Sequence, residues 1–256
     1  MKRIGKRVLS AGGPACRHPF KTLVRAGLIT LCTISVLFVV PASRAAEEGK
    51  EVREVKEVIK KLQARYEHTR DLQAEFKQTT RIEGFATPIA SSGRMYIKKP
   101  GRLRWDYLDP NVEEIYVNQN DVMMYVPEHK QVLVGKLTQM AASQAPLQLL
   151  QGAAKLEEQF DVASTLDGRG EGGLPLLTLL PKQTAHESVR TVVKIVVEVQ
   201  PKTFYIKKLS IHEVSGNVST FQFSDLKANS GLKLSLFDFQ VPPGVEVVKA
   251  PSLSPP

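Results

Sequence analysis

Residues Ser92–Tyr107 read Ser-Gly-Arg-Met-Tyr-Ile-Lys-Lys-Pro-Gly-Arg-Leu-Arg-Trp-Asp-Tyr, and this stretch decides the fold. Met95 and Ile97 fall on one side of an extended chain, and Arg94 and Lys98 fall on the other. After Pro100-Gly101 the pattern resumes, with Leu103, Trp105 and Tyr107 alternating with Arg102, Arg104 and Asp106. A period of two with one apolar face is that of a strand lying between a core and water. Pro-Gly is a turn signal, so the two strands are antiparallel neighbours.

The same alternation extends in both directions. On the N-terminal side, Leu72–Arg81 reads as a strand. On the C-terminal side follow Glu114–Asn118, Val122–Val126 and Gln131–Lys136, divided by Asp109-Pro110, Asn118–Asp121 and Pro127-Glu128. Leu137–Leu150 is rich in Ala, Gln and Leu, and the reading there is one or two short helices divided near Pro146. Strands resume at Gln159–Ser164, Leu174–Pro181, Val189–Gln200, Thr203–Glu213, Val218–Leu226 and Leu232–Phe239. Residues 249–256 read as a flexible tail. The expected protein is mainly β, with about eleven strands in one sheet, and a sheet of that size curls.

Before the strands, Glu48–Thr69 places Val52, Val55, Val58, Ile59, Leu62 and Tyr66 at three-and-four spacing. This draws one apolar stripe along a helix whose other face is charged with both signs. A mixed-sign face favours packing on the protein's own sheet over binding a membrane surface. Helix and sheet together predict an apolar concave face with few helices to cover it. Met95, Met123, Met124 and Met140 suit an adaptable lining.

The net charge of +9 belongs almost wholly to the first 45 residues. These hold Lys2, Arg3, Lys6, Arg7, Arg17, Lys21, Arg25 and Arg44 and no acid, leaving +1 for the rest. A nucleic-acid partner is therefore not indicated. The cationic stretch precedes an apolar run, Ala26–Val40, and then Ser43 and Ala45, the order of an export signal cut after Ala45. Both cysteines, Cys16 and Cys32, lie inside this leader, so the mature chain from residue 46 has neither a thiol nor a disulfide. Cys32 lies within the apolar run after Leu31, which does not suit a lipidation site, and the mature protein is expected to be free of a lipid anchor.

Reaction chemistry is hard to find. His68, His129, His186 and His212 are far apart and have no metal-ligand spacing to acids or to each other. There is no Gly-x-Ser-x-Gly elbow or phosphate loop, and Gly168–Gly173 is a glycine-rich turn, since a strand pattern and not a helix follows it. No cofactor is called for. Binding is the default function, not catalysis.

The quoted stretch, the Phe76-Lys77-Gln78 triplet, Met124-Tyr-Val-Pro127, Pro146-Leu-Gln-Leu-Leu150, Leu177–Pro181 and the closing Phe237–Val248 together resemble the periplasmic outer-membrane lipoprotein carrier (LolA) family in content and order. The resemblance spans roughly residues 48–248. It implies an unclosed antiparallel β-barrel lidded by an N-terminal helix and short helices, whose concave face holds acyl chains. The partners implied are acylated lipoproteins, an inner-membrane lipoprotein-releasing ABC transporter, and an outer-membrane receptor or acceptor, for a monomeric carrier in the periplasm of a Gram-negative bacterium. The acyl-chain candidates are Phe76, Met95, Ile97, Leu103, Trp105 and Met124, and Lys99 is the lid-latch candidate. Lys99 stands where the family typically has Arg, and a lysine lacks the planar multi-donor fork. A carrier or sensor of another amphiphile, such as a glycolipid or a lipoprotein-sensing regulator, is the alternative on the same fold.

Overall fold

The computed structural model describes residues 42–136, 150, 156–183 and 191–249, which belong to one compact unit. The expected helices at Leu137–Leu150 fall outside the described residues except for Leu150, which is helical and buried in the core. Residues 1–41 of the expected leader and the expected tail beyond Lys249 also lie outside them. Helix α1 spans Ala42–Glu67 and so begins upstream of the expected Glu48. Cleavage after Ala45 would remove its first turn.

The strands are β1 Asp71–Arg81, β2 Ile89–Lys98, β3 Arg102–Asp109, β4 Glu113–Asn118, β5 Asp121–Val126, β6 Gln131–Lys136, β7 Phe160–Arg169, β8 Pro175–Pro181, β9 Val192–Val199, β10 Ile206–Glu213, β11 Val218–Ala228 and β12 Glu246–Lys249. A four-residue helix, α2 Leu156–Gln159, precedes β7. All twelve strands form one sheet in the order β12-β6-β5-β4-β3-β2-β1-β11-β10-β9-β8-β7. Two meanders, β1 to β6 and β7 to β11, are thus joined where β1 pairs antiparallel with β11, with Phe76 opposite Phe223. The sheet ends at β7 on one side and β12 on the other, so the barrel is unclosed.

Two expectations are corrected at the C-terminus. Leu232–Phe239 is not a strand: Leu234–Phe237 forms a 3-10 turn lying against β3 and β4. The twelfth strand comes later, at β12, and pairs in parallel with β6, Val247 opposite Val132. The alternation of Leu232, Leu234 and Leu236 was misleading because Phe237 alone of that segment is buried, on a crossing and not a ladder.

The segment after β11 therefore works as a strap over the convex face. Its start is held by the buried Asp71 carboxylate, which accepts from the Ser230 N–H at 2.7 Å and the Gly231 N–H at 3.1 Å. Further along, Arg102 donates to Asp238 at 3.1 Å, and Phe239 stacks between Tyr116 and Tyr125, centroids 5.0 and 5.4 Å away. Tyr116, Val132 and Phe237 are buried apart from the main core. Under the strap, Arg104 grips Asp106 through its Nε at 2.8 Å and reaches Glu114 at 3.4 Å and the Leu236 carbonyl at 3.4 Å. Burial pushes the Asp106 carboxyl up, and the Arg104 guanidinium opposes that shift.

The main core lies on the concave face, where Phe76, Met95, Leu103, Trp105, Ile115, Leu177, Ile195, Leu209 and Phe221 meet the stripe of α1. At Gly93 the register of β2 against β3 shifts by one residue, which leaves Leu108 exposed. A Cβ on Gly93 would stand 1.9 Å from the Asp106 carbonyl oxygen and 2.8 Å from the Phe76 ring. The bulge and the bare glycine let the Phe76 ring lie over β2. Backbone cannot move aside cheaply, so Gly93→Ala should cost about 3 kcal/mol. Urea unfolding of both proteins checks this, and an unchanged midpoint would refute the close approach.

Candidate functional site

The candidate site is the concave face and the helix that seals it. Strand alternation brings Phe76, Met95, Ile97, Leu103 and Trp105 to that face, each at most 6% exposed, and Met124 packs half-buried against them. Phe76 and Trp105 stack with centroids 4.3 Å apart, and Tyr107 and Phe221 meet this pair edge-on. Met123 is a correction to the expected lining. It sits opposite Tyr116 and Val134, on the convex side, because neighbours in a strand point to opposite faces. Met140 lies outside the described residues.

Val55, Val58, Ile59, Leu62 and Tyr66 of α1 occupy the space above the sheet and belong to the same packed cluster. Open volume lies at the margin of the seal, in a cleft of about 520 Å³ between α1 and β7. Its walls are Val52, Val55 and Ile59 on the helix and Phe160, Val162 and Ala163 beyond it, with Lys56, Glu157, Asp161 and Lys182 as its charged lining. That volume lies within the range of pockets that take small apolar ligands.

Polar contacts tie α1 down at its middle and at its C-terminal end. Midway along it, Arg169 makes a two-pronged pair with Glu54 at 2.9 and 3.0 Å. Near its end, the Arg65 Nε donates to the Thr203 carbonyl at 2.8 Å, and the Thr69 hydroxyl donates to the Arg65 carbonyl at 2.7 Å. Tyr66 packs edge-on against Tyr205, and its buried hydroxyl accepts from the Ile206 N–H at 3.3 Å.

Lys99 is the contact of most functional interest. Its ammonium donates to the carbonyls of Tyr66 and Glu67, the last residues of α1, the latter at 3.5 Å. These carbonyls lack intrahelical partners and carry the negative end of the helix dipole, so a cation is favoured there. Burial lowers the Lys99 pKa, and the nearby Glu67 carboxylate works against that shift.

A row of polar side chains also reaches the concave face, which alternation alone did not signal. The Tyr107 hydroxyl donates to Gln78 Oε1 at 2.8 Å, Gln78 Nε2 donates to Thr80 Oγ1 at 3.1 Å, and Thr80 and Ser219 hydroxyls meet at 3.1 Å. Burial pushes the Tyr107 phenol up to about 12, with the Trp105 indole beside it working in the opposite direction. The Trp105 Nε1 is buried and has no hydrogen-bond partner among the described residues. The sequence did hold a signal here: Gln78, Thr80 and Ser219 share the parity of Phe76 and Phe221 on their strands.

Residues 67–240 match the family model of the outer membrane lipoprotein carrier protein LolA. The chain belongs to this family. All seven candidate residues lie inside the matched span, which takes in only the last residue of α1 and stops before β12. An outer-membrane lipoprotein carrier protein of Methylobacillus flagellatus is 28% identical over 190 residues, covering 74% of this chain and 88% of that one. The corresponding protein of Pseudomonas syringae pv. tomato is 28% identical over 231 residues, 89% of this chain and 99% of its own. Among solved structures, an uncharacterized conserved protein from Thermus thermophilus shares the fold at a TM-score of 0.50 and 13% identity, covering 76% and 98% of the two chains. A LolA superfamily protein from Nitrosomonas europaea aligns at a TM-score of 0.41 and 14% identity over 72% and 97%.

A charge-assisted hydrogen bond to a half-exposed helix end contributes about 1 kcal/mol. Lys99→Leu should therefore speed hydrogen exchange at the last-turn amides of α1 by about fivefold, while Lys99→Arg restores protection. Equal exchange in all three proteins would show that Lys99 does not hold the helix.

Proposed function

We propose that the mature chain carries acylated lipoproteins through the periplasm. It takes them from an inner-membrane ABC transporter and yields them to an outer-membrane receptor or acceptor membrane. Export of the chain by the leader, with cleavage after Ala45, precedes this role. The observation that carries the proposal is the seal: one amphipathic helix covers a broad apolar sheet face, and that helix is held mainly by non-directional burial. Among the described residues no helix is long and apolar enough to cross a membrane.

The physical need follows from hydrocarbon transfer. At about 0.8 kcal/mol per CH₂, three long acyl chains resist exposure to water by on the order of 30 kcal/mol. Acyl chains and the stripe of α1 are interchangeable as far as Leu103 or Trp105 is concerned, because both offer only apolar surface. Cargo therefore enters by replacing Val55, Ile59 and Leu62 over the sheet, with the α1–β7 cleft as the point where the seal is already incomplete. The displaced helix competes to return, which keeps net affinity below the gross burial energy and permits handover. Lys99, Arg65 and the Glu54–Arg169 pair set how readily the helix lifts.

The test adds the purified chain, from Ala46 onward, to spheroplasts making a tagged triacylated lipoprotein, with a non-acylated version as control. The expected result is a soluble complex in the supernatant that requires both this protein and the acyl chains. Cargo that stays in the membrane, despite folded protein and the authentic transporter, would overturn the reading.

A further inference from the structure

The polar row on the concave face lies at one end of an otherwise apolar wall. Along β1, the concave residues run Leu72, Ala74, Phe76, Gln78 and Thr80, so the wall changes character after Phe76. Leu72 to Thr80 spans about 27 Å of strand. That is longer than the roughly 15 Å that half a bilayer core allots to one acyl chain.

Among the described residues, the row does not consume its own donors. Tyr107 uses its one hydrogen on Gln78 Oε1, which leaves the Gln78 amide nitrogen facing Thr80 with one N–H engaged and the second in surplus. Thr80 and Ser219 share a single bond between two hydroxyls, so one O–H is also in surplus. The buried Trp105 indole N–H, beside the Tyr107 hydroxyl, makes no full hydrogen bond among the described residues. Surplus donors in a half-buried wall are costly, and valine or alanine at these positions would avoid the cost. What the three lack in common is a full acceptor.

We propose that Tyr107, Gln78, Thr80 and Ser219, with the Trp105 N–H, form a subsite for the carbonyl oxygen at the head end of an acyl chain. The hydrocarbon then lies along Phe76 and Trp105 toward Leu103, and the ester or amide group stops at the Gln78–Thr80 step. This inference rests on the carrier reading and gives the cargo a direction: tails toward the end where Lys99 meets α1, head toward the β1–β2 hairpin. A carbonyl buried among apolar side chains needs donors, and this row is where the wall supplies them.

Trp105 is the sole tryptophan of the chain, so its fluorescence reports occupancy of the wall directly. The probes are glyceryl monopalmitate, which has an ester carbonyl, glyceryl monohexadecyl ether, which lacks one, and palmitoyl ethanolamide, which presents an amide. The wild-type chain should bind the ester about fivefold to tenfold more tightly than the ether. The amide shows whether ester and N-acyl groups share the subsite: amide affinity near that of the ester places both there, and amide affinity near that of the ether confines the subsite to esters. In the double variant Gln78→Leu with Thr80→Val, and separately in Ser219→Ala in case the double variant is unstable, the ester preference should fall at least threefold while ether affinity holds. Lys77→Ser, on the opposite face of β1, should keep the preference intact. Equal affinity of the wild type for ester and ether, or an unchanged preference in the variants, would overturn the subsite and leave the carrier reading standing. Failure of the wild type to bind any of the three probes would overturn both.

Discussion

The contact between the apolar stripe of α1 and the concave face is the constraint on which everything else rests. A twelve-stranded sheet with one apolar face cannot leave that face wet, and the described chain offers one long helix to cover it. Val55, Val58, Ile59 and Leu62 provide the cover by burial alone, at no more than 4% exposure each, and Tyr66 adds one hydrogen bond to its burial. Burial has no direction, so the sheet does not distinguish a helix stripe from a hydrocarbon chain. The same interaction that completes the fold is the one that cargo would replace in the proposed function. Specific polar contacts at the middle and C-terminal end of the helix then decide its seating, not its existence.

The convex side of the sheet is braced independently of the concave side. Asp71 anchors the start of the strap, Arg104 ties Asp106, Glu114 and the Leu236 carbonyl together, and Phe239 locks over Tyr116 and Tyr125. None of these contacts involves α1. The β12 strand then covers the edge of β6, limiting the open ladder on that side of the unclosed barrel. Frame and cover are thus separate, as an exchangeable cover requires.

Much of this was legible in the residues. Period-two alternation located β1, β3, β4, β5 and β6 to within a residue or two, and the stripe of α1 was visible as three-and-four spacing. Phe76, Met95, Ile97, Leu103 and Trp105 came out on one buried face because parity along a strand survives folding. Met123 was misassigned because methionine chemistry was given more weight than its parity, which is opposite to that of Met124. The Leu232–Phe239 stretch alternates like a strand yet forms a turn, because its apolar partner is the convex face across the sheet and not a neighbouring ladder. The polar row was missed for a related reason: Gln78, Thr80, Ser219 and Tyr107 come from three strands, and no single segment shows them as a group.

By itself the sequence determined most of the elements, most of the faces their side chains take, and the lack of any cysteine after Cys32, because these follow from local periodicity and composition. Only the tertiary structure decided that β1 pairs with β11 to fuse two meanders, that Lys99 meets the last carbonyls of α1, and that the convex charges lie beneath a strap. Those facts depend on contacts between residues far apart in the chain. Alternation specifies which way a side chain points, whereas the long-range pairing of strands determines what it meets there.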